Sequence, residues 1–200
     1  MDTTRLIIVA VGGQGNLLSS KVLAEAALIE DMPVRLSEIH GMAQRGGVVE
    51  SSLVFGDADS TIISDGQADI LLGFEPGETL RAINRCSENT IVITNTHPLP
   101  PFTAAIGKGV YPDIDEVCRI IEANTAKLYA FNAMELARQA GNPMTMNIVL
   151  LGALLKSGTI PFSRQSLEEA VRRKTKPAFT DMNLAAFDLG FSALETEDAV

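Results

Sequence analysis

The residues best suited to chemistry gather in two short, glycine-bracketed segments. The first, Gly12-Gly13-Gln14-Gly15, follows the apolar run Leu6–Val11. Glycines at such a turn let the backbone take positive φ and bring its amides against a ligand, and a helix starting there adds partial positive charge. A dinucleotide fingerprint requires Gly-x-Gly-x-x-Gly, whose third glycine permits close helix–strand contact. Gly13 and Gly15 match, but Leu18 occupies the third position. Glu38 stands roughly 20 residues beyond, the offset of a ribose-binding acid. The turn therefore suits either a nucleotide site or a purely structural tight turn.

The second segment, Ser37-Glu38-Ile39-His40-Gly41-Met42-Ala43-Gln44-Arg45-Gly46-Gly47, places an acid, an imidazole, an amide and a guanidinium close together. Gly41, Gly46 and Gly47 allow the loop to fold tightly or approach another backbone. Arg45 can fork onto a carboxylate, phosphate or carbonyl. The competing arrangement is an internal network, with Arg45 paired to Glu38 and His40 held by a backbone carbonyl. Asn95 and His97 form a third candidate group at a strand end. His97, beside Pro98, reads as a loop residue, because no serine or cysteine nucleophile accompanies it. Asn147 lies among apolar neighbours, where an unpaired amide costs about 1–3 kcal/mol. It must bond something, and a neighbouring loop is expected.

These groups need elements to position them. Arg5–Val11 is a continuous β-branched run, typical of a strand buried on both faces. A helix follows from Asn16, a plausible N-cap, to Glu30, then a strand over Pro33–Ile39. Strand, glycine turn, helix and strand open a parallel sheet. Further strands are expected at Val48–Phe55, Asp69–Phe74, Thr90–Thr94 and Lys127–Phe131, with helices over Pro76–Cys86 and Asp113–Asn124. Beyond Asn132 the chain reads as helical. Met146–Leu155 is apolar nearly all round, the mark of a buried helix. Leu184, Phe187, Phe191 and Leu194 form a stripe suited to packing on the domain or to a partner. In open parallel sheets, ligands collect outside the carboxyl ends of the strands. Both histidines and both glycine segments fall at such ends.

Totals narrow the possibilities. The chain has 200 residues, 46% of them hydrophobic, so one domain over residues 1–200 is expected. Its net charge of −9 argues against a nucleic-acid partner, whose binding relies on cationic clusters. Arg172-Arg173-Lys174-Thr175-Lys176 is the one dense basic stretch and reads as a solvated helix end. Leu6–Val11 is shorter than the roughly 7–15 residues of a signal core. No apolar run approaches the roughly 18–20 residues of a membrane span. A cytoplasmic location without membrane contact is expected. Only Cys86 and Cys118 are present, read as reduced packing residues; two thiols cannot build a four-thiolate cluster or zinc ribbon. The sequence shows no metal-ligand spacing, P-loop lysine or nucleophile elbow.

Val11-Gly-Gly-Gln-Gly15, Lys21-Val-Leu-Ala-Glu-Ala26 and the segment from Ser37 to Gly47 together resemble the gamma-type domain of the 2-oxoacid:ferredoxin oxidoreductases. Met146–Gly152 and Asp181–Gly190 extend the resemblance across the chain. The His40–Gly47 loop looks most like the small (beta) subunit type of the indolepyruvate branch; pyruvate-type subunits usually carry a different loop. Asn16-Leu17-Leu18 departs from the aliphatic residue more usual after the turn. The resemblance implies an α/β, Rossmann-like three-layer sandwich with a mainly parallel sheet and a helical C-terminal segment. It also implies a subunit inactive alone, within an enzyme that oxidatively decarboxylates a 2-oxoacid with coenzyme A and reduces ferredoxin. Thiamine diphosphate, magnesium and the iron–sulfur clusters would lie on a large (alpha) partner subunit. This chain would supply no catalytic residue. Its ligand- or subunit-facing residues would be Gly12, Gly13, Gln14, Gly15, Glu38, His40, Gly41, Gln44, Arg45, Gly46, Gly47 and Asn95. Two rival expectations are a free-standing NAD(P)- or FAD-binding module and a regulatory adaptor.

Overall fold

Strand-forming apolar runs alternate with helices along the first two thirds of the chain, and the computed structural model folds them around one six-stranded sheet. It describes residues 3–41, 47–100 and 109–194. The elements are β1 (Thr4–Val11), α1 (Asn16–Ile29), β2 (Val34–His40), β3 (Val48–Phe55), β4 (Ile70–Gly73), α2 (Pro76–Arg81), β5 (Ile91–Asn95) and α3 (Ile114–Glu122). They continue with β6 (Lys127–Phe131), α4 (Ala133–Gln139), α5 (Met146–Lys156), α6 (Arg164–Lys174) and α7 (Thr180–Ala193). The sheet order is β2-β3-β1-β4-β5-β6. Neighbours from β1 through β6 on that side pair in parallel, whereas β3 runs antiparallel to both β1 and β2. The sheet is mixed but mostly parallel.

The opening strand–helix–strand unit does not set β2 beside β1, because β3 intervenes. A parallel crossover takes a dozen or more residues, so the short link 41–47 can close only an antiparallel hairpin. The helix expected over Pro76–Cys86 also ends early, at Arg81, and a 3-10 turn over Ile83–Arg85 completes it.

β1 shows why its sequence runs apolar without alternation. Leu6, Ile8 and Ala10 pack with α1 and α5 on one face, while Ile7 and Val9 meet Val117 and Ile121 of α3 on the other. Helices α1 and α4–α7 form the larger layer. Helix α5 is buried from Met146 through Leu154, as its composition predicts. It crosses α7 with backbones touching: a Cβ on Gly152 would fall 2.0 Å from the Phe187 carbonyl oxygen, and one on Gly190 1.8 Å from that of Val149. Phe187 and Leu194 are buried, so the terminal stripe packs on the domain. The basic stretch is more engaged than a solvated helix end. Lys174 and Arg173 of α6 reach Glu25 of α1 at 2.7 and 3.1 Å. Cys86 and Cys118 are free thiols, each partly buried. No described helix is long and apolar enough to cross a membrane.

Candidate functional site

The carboxyl ends of β1, β4 and β5 are tied together by amide side chains. Gln14 closes its own turn, accepting from the Val11 N–H at 2.8 Å, and donates to the Phe74 carbonyl at 3.2 Å. Asn95 donates to that same carbonyl at 3.1 Å and to the His97 carbonyl at 3.2 Å. Its oxygen accepts from the His97 and Ala133 N–H groups, both at 3.1 Å. Asn95, expected to face a ligand or subunit, is instead fully buried with both polar atoms engaged. Its position at a strand end is right, but its direction is inward. His97 is a loop residue whose backbone is held by Asn95.

The glycine turn is anchored from three sides. Gly15 precedes α1 with φ +87°, and Asn16 is the first helical residue rather than the N-cap. The Asn16 amide is buried, donating to the carbonyls of Val49 at 3.0 Å and Ile8 at 3.3 Å. It therefore joins the helix start to β1 and β3. Asn147 bonds the neighbouring loop as expected, donating to the Gly15 carbonyl at 3.4 Å and to Ser19 Oγ at 3.3 Å. A Cβ at Gly15 would lie 2.8 Å from Asn147 Nδ2, so that position excludes a side chain on two grounds.

The two glycine segments, distant in sequence, meet. The Gly12 N–H donates to the Gly47 carbonyl at 2.9 Å, and the Gly41 N–H to the Val48 carbonyl at 2.8 Å. Glu38 points toward α1, where its carboxylate accepts from Ser20 Oγ at 2.9 Å. That hydrogen bond turns it away from the role of a free ribose-binding acid. Gly12, Gly13, His40 and Gly41 are exposed, whereas Gly47 is half-buried. Gln44, Arg45 and Gly46 lie outside the described residues, and so does the expected pairing of Arg45 with Glu38.

Between the turn, the start of α1 and the end of β2 opens a cavity of about 560 Å3. Leu17 and Leu18 give it an apolar wall, and Lys21, His40 and Lys174, the last paired with Glu25, a polar one. Leu18 also packs on the core, filling the space that a third fingerprint glycine would leave. The two lysines escaped sequence reasoning. Lys21 was hidden inside a helix, and Lys174 in a run assigned to solvent; only folding brings α1 and α6 together. The chemistry offered is electrostatic, since the first amides of α1 and the lysine charge favour an anionic group.

A second polar cluster was also missed. Buried Glu75, immediately after β4, caps α2 by accepting from the Glu78 N–H at 2.9 Å. It also accepts from the Leu99 N–H at 3.1 Å and from the Tyr111 hydroxyl. Burial, then the Glu75 carboxylate, pushes the Tyr111 phenol well above its ordinary range. Burial likewise raises the Glu78 carboxyl, opposed by Arg81. An acid between a strand and Pro76 was the available signal. The cluster fastens two loop ends to the sheet.

Among the described residues, no three His, Cys, Asp or Glu side chains gather to hold a metal ion. Burial pushes the Cys86 thiol up from 9.0 to about 11, against a bond from Thr90. A thiol held protonated at neutral pH is a poor metal ligand.

The model of the pyruvate ferredoxin/flavodoxin oxidoreductase family matches residues 5–193. Indolepyruvate oxidoreductase subunit IorB of Pyrococcus horikoshii is 40% identical over 195 residues, covering 96% of each chain. Ketoisovalerate oxidoreductase subunit VorA of Methanothermobacter thermautotrophicus aligns with 93% of this chain at 24% identity, but with only 35% of its own length. The keto/oxoacid ferredoxin oxidoreductase gamma subunit from Geobacter sulfurreducens superposes with a TM-score of 0.69 at 26% identity, covering 96% of this chain and 99% of that one.

Proposed function

Because this chain belongs to the pyruvate ferredoxin/flavodoxin oxidoreductase family, we propose that it is the small subunit of an indolepyruvate-type enzyme. It is a subunit of a 2-oxoacid ferredoxin oxidoreductase. The observation that carries the finer assignment is the end-to-end match to IorB at 40% identity. The reaction converts an arylpyruvate, coenzyme A and two oxidised ferredoxins into an aryl-acetyl-coenzyme A, carbon dioxide, a proton and two reduced ferredoxins. The carbon–carbon bond to the carboxylate breaks, a thioester forms, and the electron pair leaves one electron at a time.

This chain's donor set does not fit the groups that such chemistry requires. Two cysteines cannot ligate a four-thiolate cluster, and one of them is held as a thiol. The sequence has no Gly-Asp-Gly with a downstream asparagine to hold a magnesium diphosphate. We therefore assign thiamine diphosphate, magnesium and the clusters to a large (alpha) partner subunit, which ferredoxin meets in the complex. The role left to this chain is to shape the approach. Gly12, Gly13, His40, Gly41 and Gly47 border one rim of the carboxyl edge, and Lys21 lends positive charge to the cavity beside it. That wall suits an anionic co-substrate such as coenzyme A.

The test is reconstitution. This chain, its large subunit and their complex are assayed separately for ferredoxin reduction dependent on indolepyruvate and coenzyme A. Activity is expected only from the complex. Turnover by either chain alone would overturn the assignment.

A further inference from the structure

The three-layer arrangement is incomplete at one place. On the face of the sheet covered by α2 and α3, the buried cluster runs through Ile7, Val9, Val54, Leu71 and Val92. The antiparallel register places Arg35, Ser37 and Ile39 of β2, with Glu50 and Ser52 of β3, on that same face. The β3 part of this face is closed, with Ser52 buried and Glu50 reached by Arg85 at 3.8 Å, and Arg35 bonds the Ala58 carbonyl; the end of β2 at Ile39 is left exposed. Ile39 is 63% exposed, in an edge strand whose outer backbone groups have no strand neighbour among the described residues. Ile62, 79% exposed, lies beside the start of β2 and lines a cavity with Val34–Leu36. Exposed β-branched residues along an unprotected edge are a liability that folds normally blunt, unless a partner covers them. The opposite edge differs: β6 buries Tyr129 on one face and packs Leu128 on the other.

β2 ends at His40, which lines the cavity described above, so this edge runs on into that rim. What covers it is indicated by chain length. In VorA, a sequence like this one fills only 35% of a single polypeptide. There the domain is covalently joined to a much longer chain. In IorB of Pyrococcus horikoshii the matched sequence fills 96% of the chain, so there a partner has to be held by contact. We infer that the outer edge of β2, centred on Ile39, is where the large oxidoreductase subunit docks. This inference rests on the subunit assignment above. It adds which surface is used.

The experiment measures association of the full chain with its large subunit by titration calorimetry, and thermal midpoints of the free variants. Ile39→Asp is expected to weaken association more than tenfold with an unchanged midpoint. Leu28→Asp, at an apolar position 61% exposed on α1, is expected to bind as wild type. Equal weakening by both changes would point to a general charge effect and overturn the inference, as would full binding by Ile39→Asp. Hydrogen exchange of the wild-type complex gives a check independent of any variant's folding. Residues 37–40 must gain protection on binding, and unchanged exchange there would sink the proposed surface. Failure of the wild-type chain to bind at all would remove the subunit assignment itself, a separate outcome.

Discussion

At the residue scale, sequence reasoning located polar side chains but not the directions in which they point. Residue type supplies donors and acceptors; the fold decides who receives them. Asn95 was legible as a polar residue at a strand end. Nothing in its neighbours revealed that Phe74, His97 and Ala133 would use all of its capacity. Asn147 was easier, because an amide embedded in an apolar helix has to find a partner, and the glycine turn supplies one. The inward role of Asn95 makes a sharp prediction. Asn95→Ala leaves the buried Ala133 N–H without its partner and the Phe74 carbonyl with Gln14 alone, so it should destabilise the chain by about 1–3 kcal/mol. Urea unfolding measures this directly. A loss below about 0.5 kcal/mol, the range of ordinary surface changes, would show that Asn95 is not the hub of this edge.

At the element scale, the packing of α1 against α6 depends on carboxylates at both ends of the contact. Glu30 accepts from the Ser163 N–H at 2.7 Å and from the Ser166 hydroxyl, capping the start of α6. Glu25 receives Lys174 and Arg173 near its end. Bonds from Lys174 and then Arg173 hold the Glu25 carboxyl below 4.5; bonds from Ser166 and then the Ser163 backbone do the same for Glu30. A carboxyl with a folded value below its unfolded one favours folding while it is ionised. The contribution is therefore present above about pH 4.5 and disappears as pH falls through the lowered folded values. Glu30→Ala should lower Tm at pH 7 by about 2–4 °C, equivalent to about 1 kcal/mol in a chain of this size. The gap between variant and wild type should narrow as pH falls below about 4.5. A gap that persists undiminished at pH 3 would mean that packing, not the ionised carboxylate, joins these helices. The helices themselves were easier to recognise than this contact. α5 declared itself by being apolar all round, whereas the charged run of α6 gave no sign that α1 would receive it.

At the scale of the whole molecule, a mostly parallel α/β sheet was legible because β1, β4 and β5 are buried on both faces and their sequences carry no polar alternation. The place of β3 was less apparent, although the short link 41–47 already forbade a parallel crossover. The cavity wall was illegible for another reason: Lys21, His40 and Lys174 come from α1, β2 and α6, and no local pattern records such convergence. The sheet order has a consequence for the free chain. β1 lies inside, paired on both sides and sandwiched between two helical layers, so its amides can exchange only through global opening. β2 has one strand partner among the described residues and an exposed Ile39, so it should open locally at much lower cost. Native-state hydrogen exchange of the isolated chain should show β1, β4 and α5 as the slowest set, with β2 amides exchanging orders of magnitude faster. Protection of β2 equal to that of β1 would mean that the hairpin is already secured within the monomer. An edge built to be completed by another chain should instead be the first part of the sheet to let go.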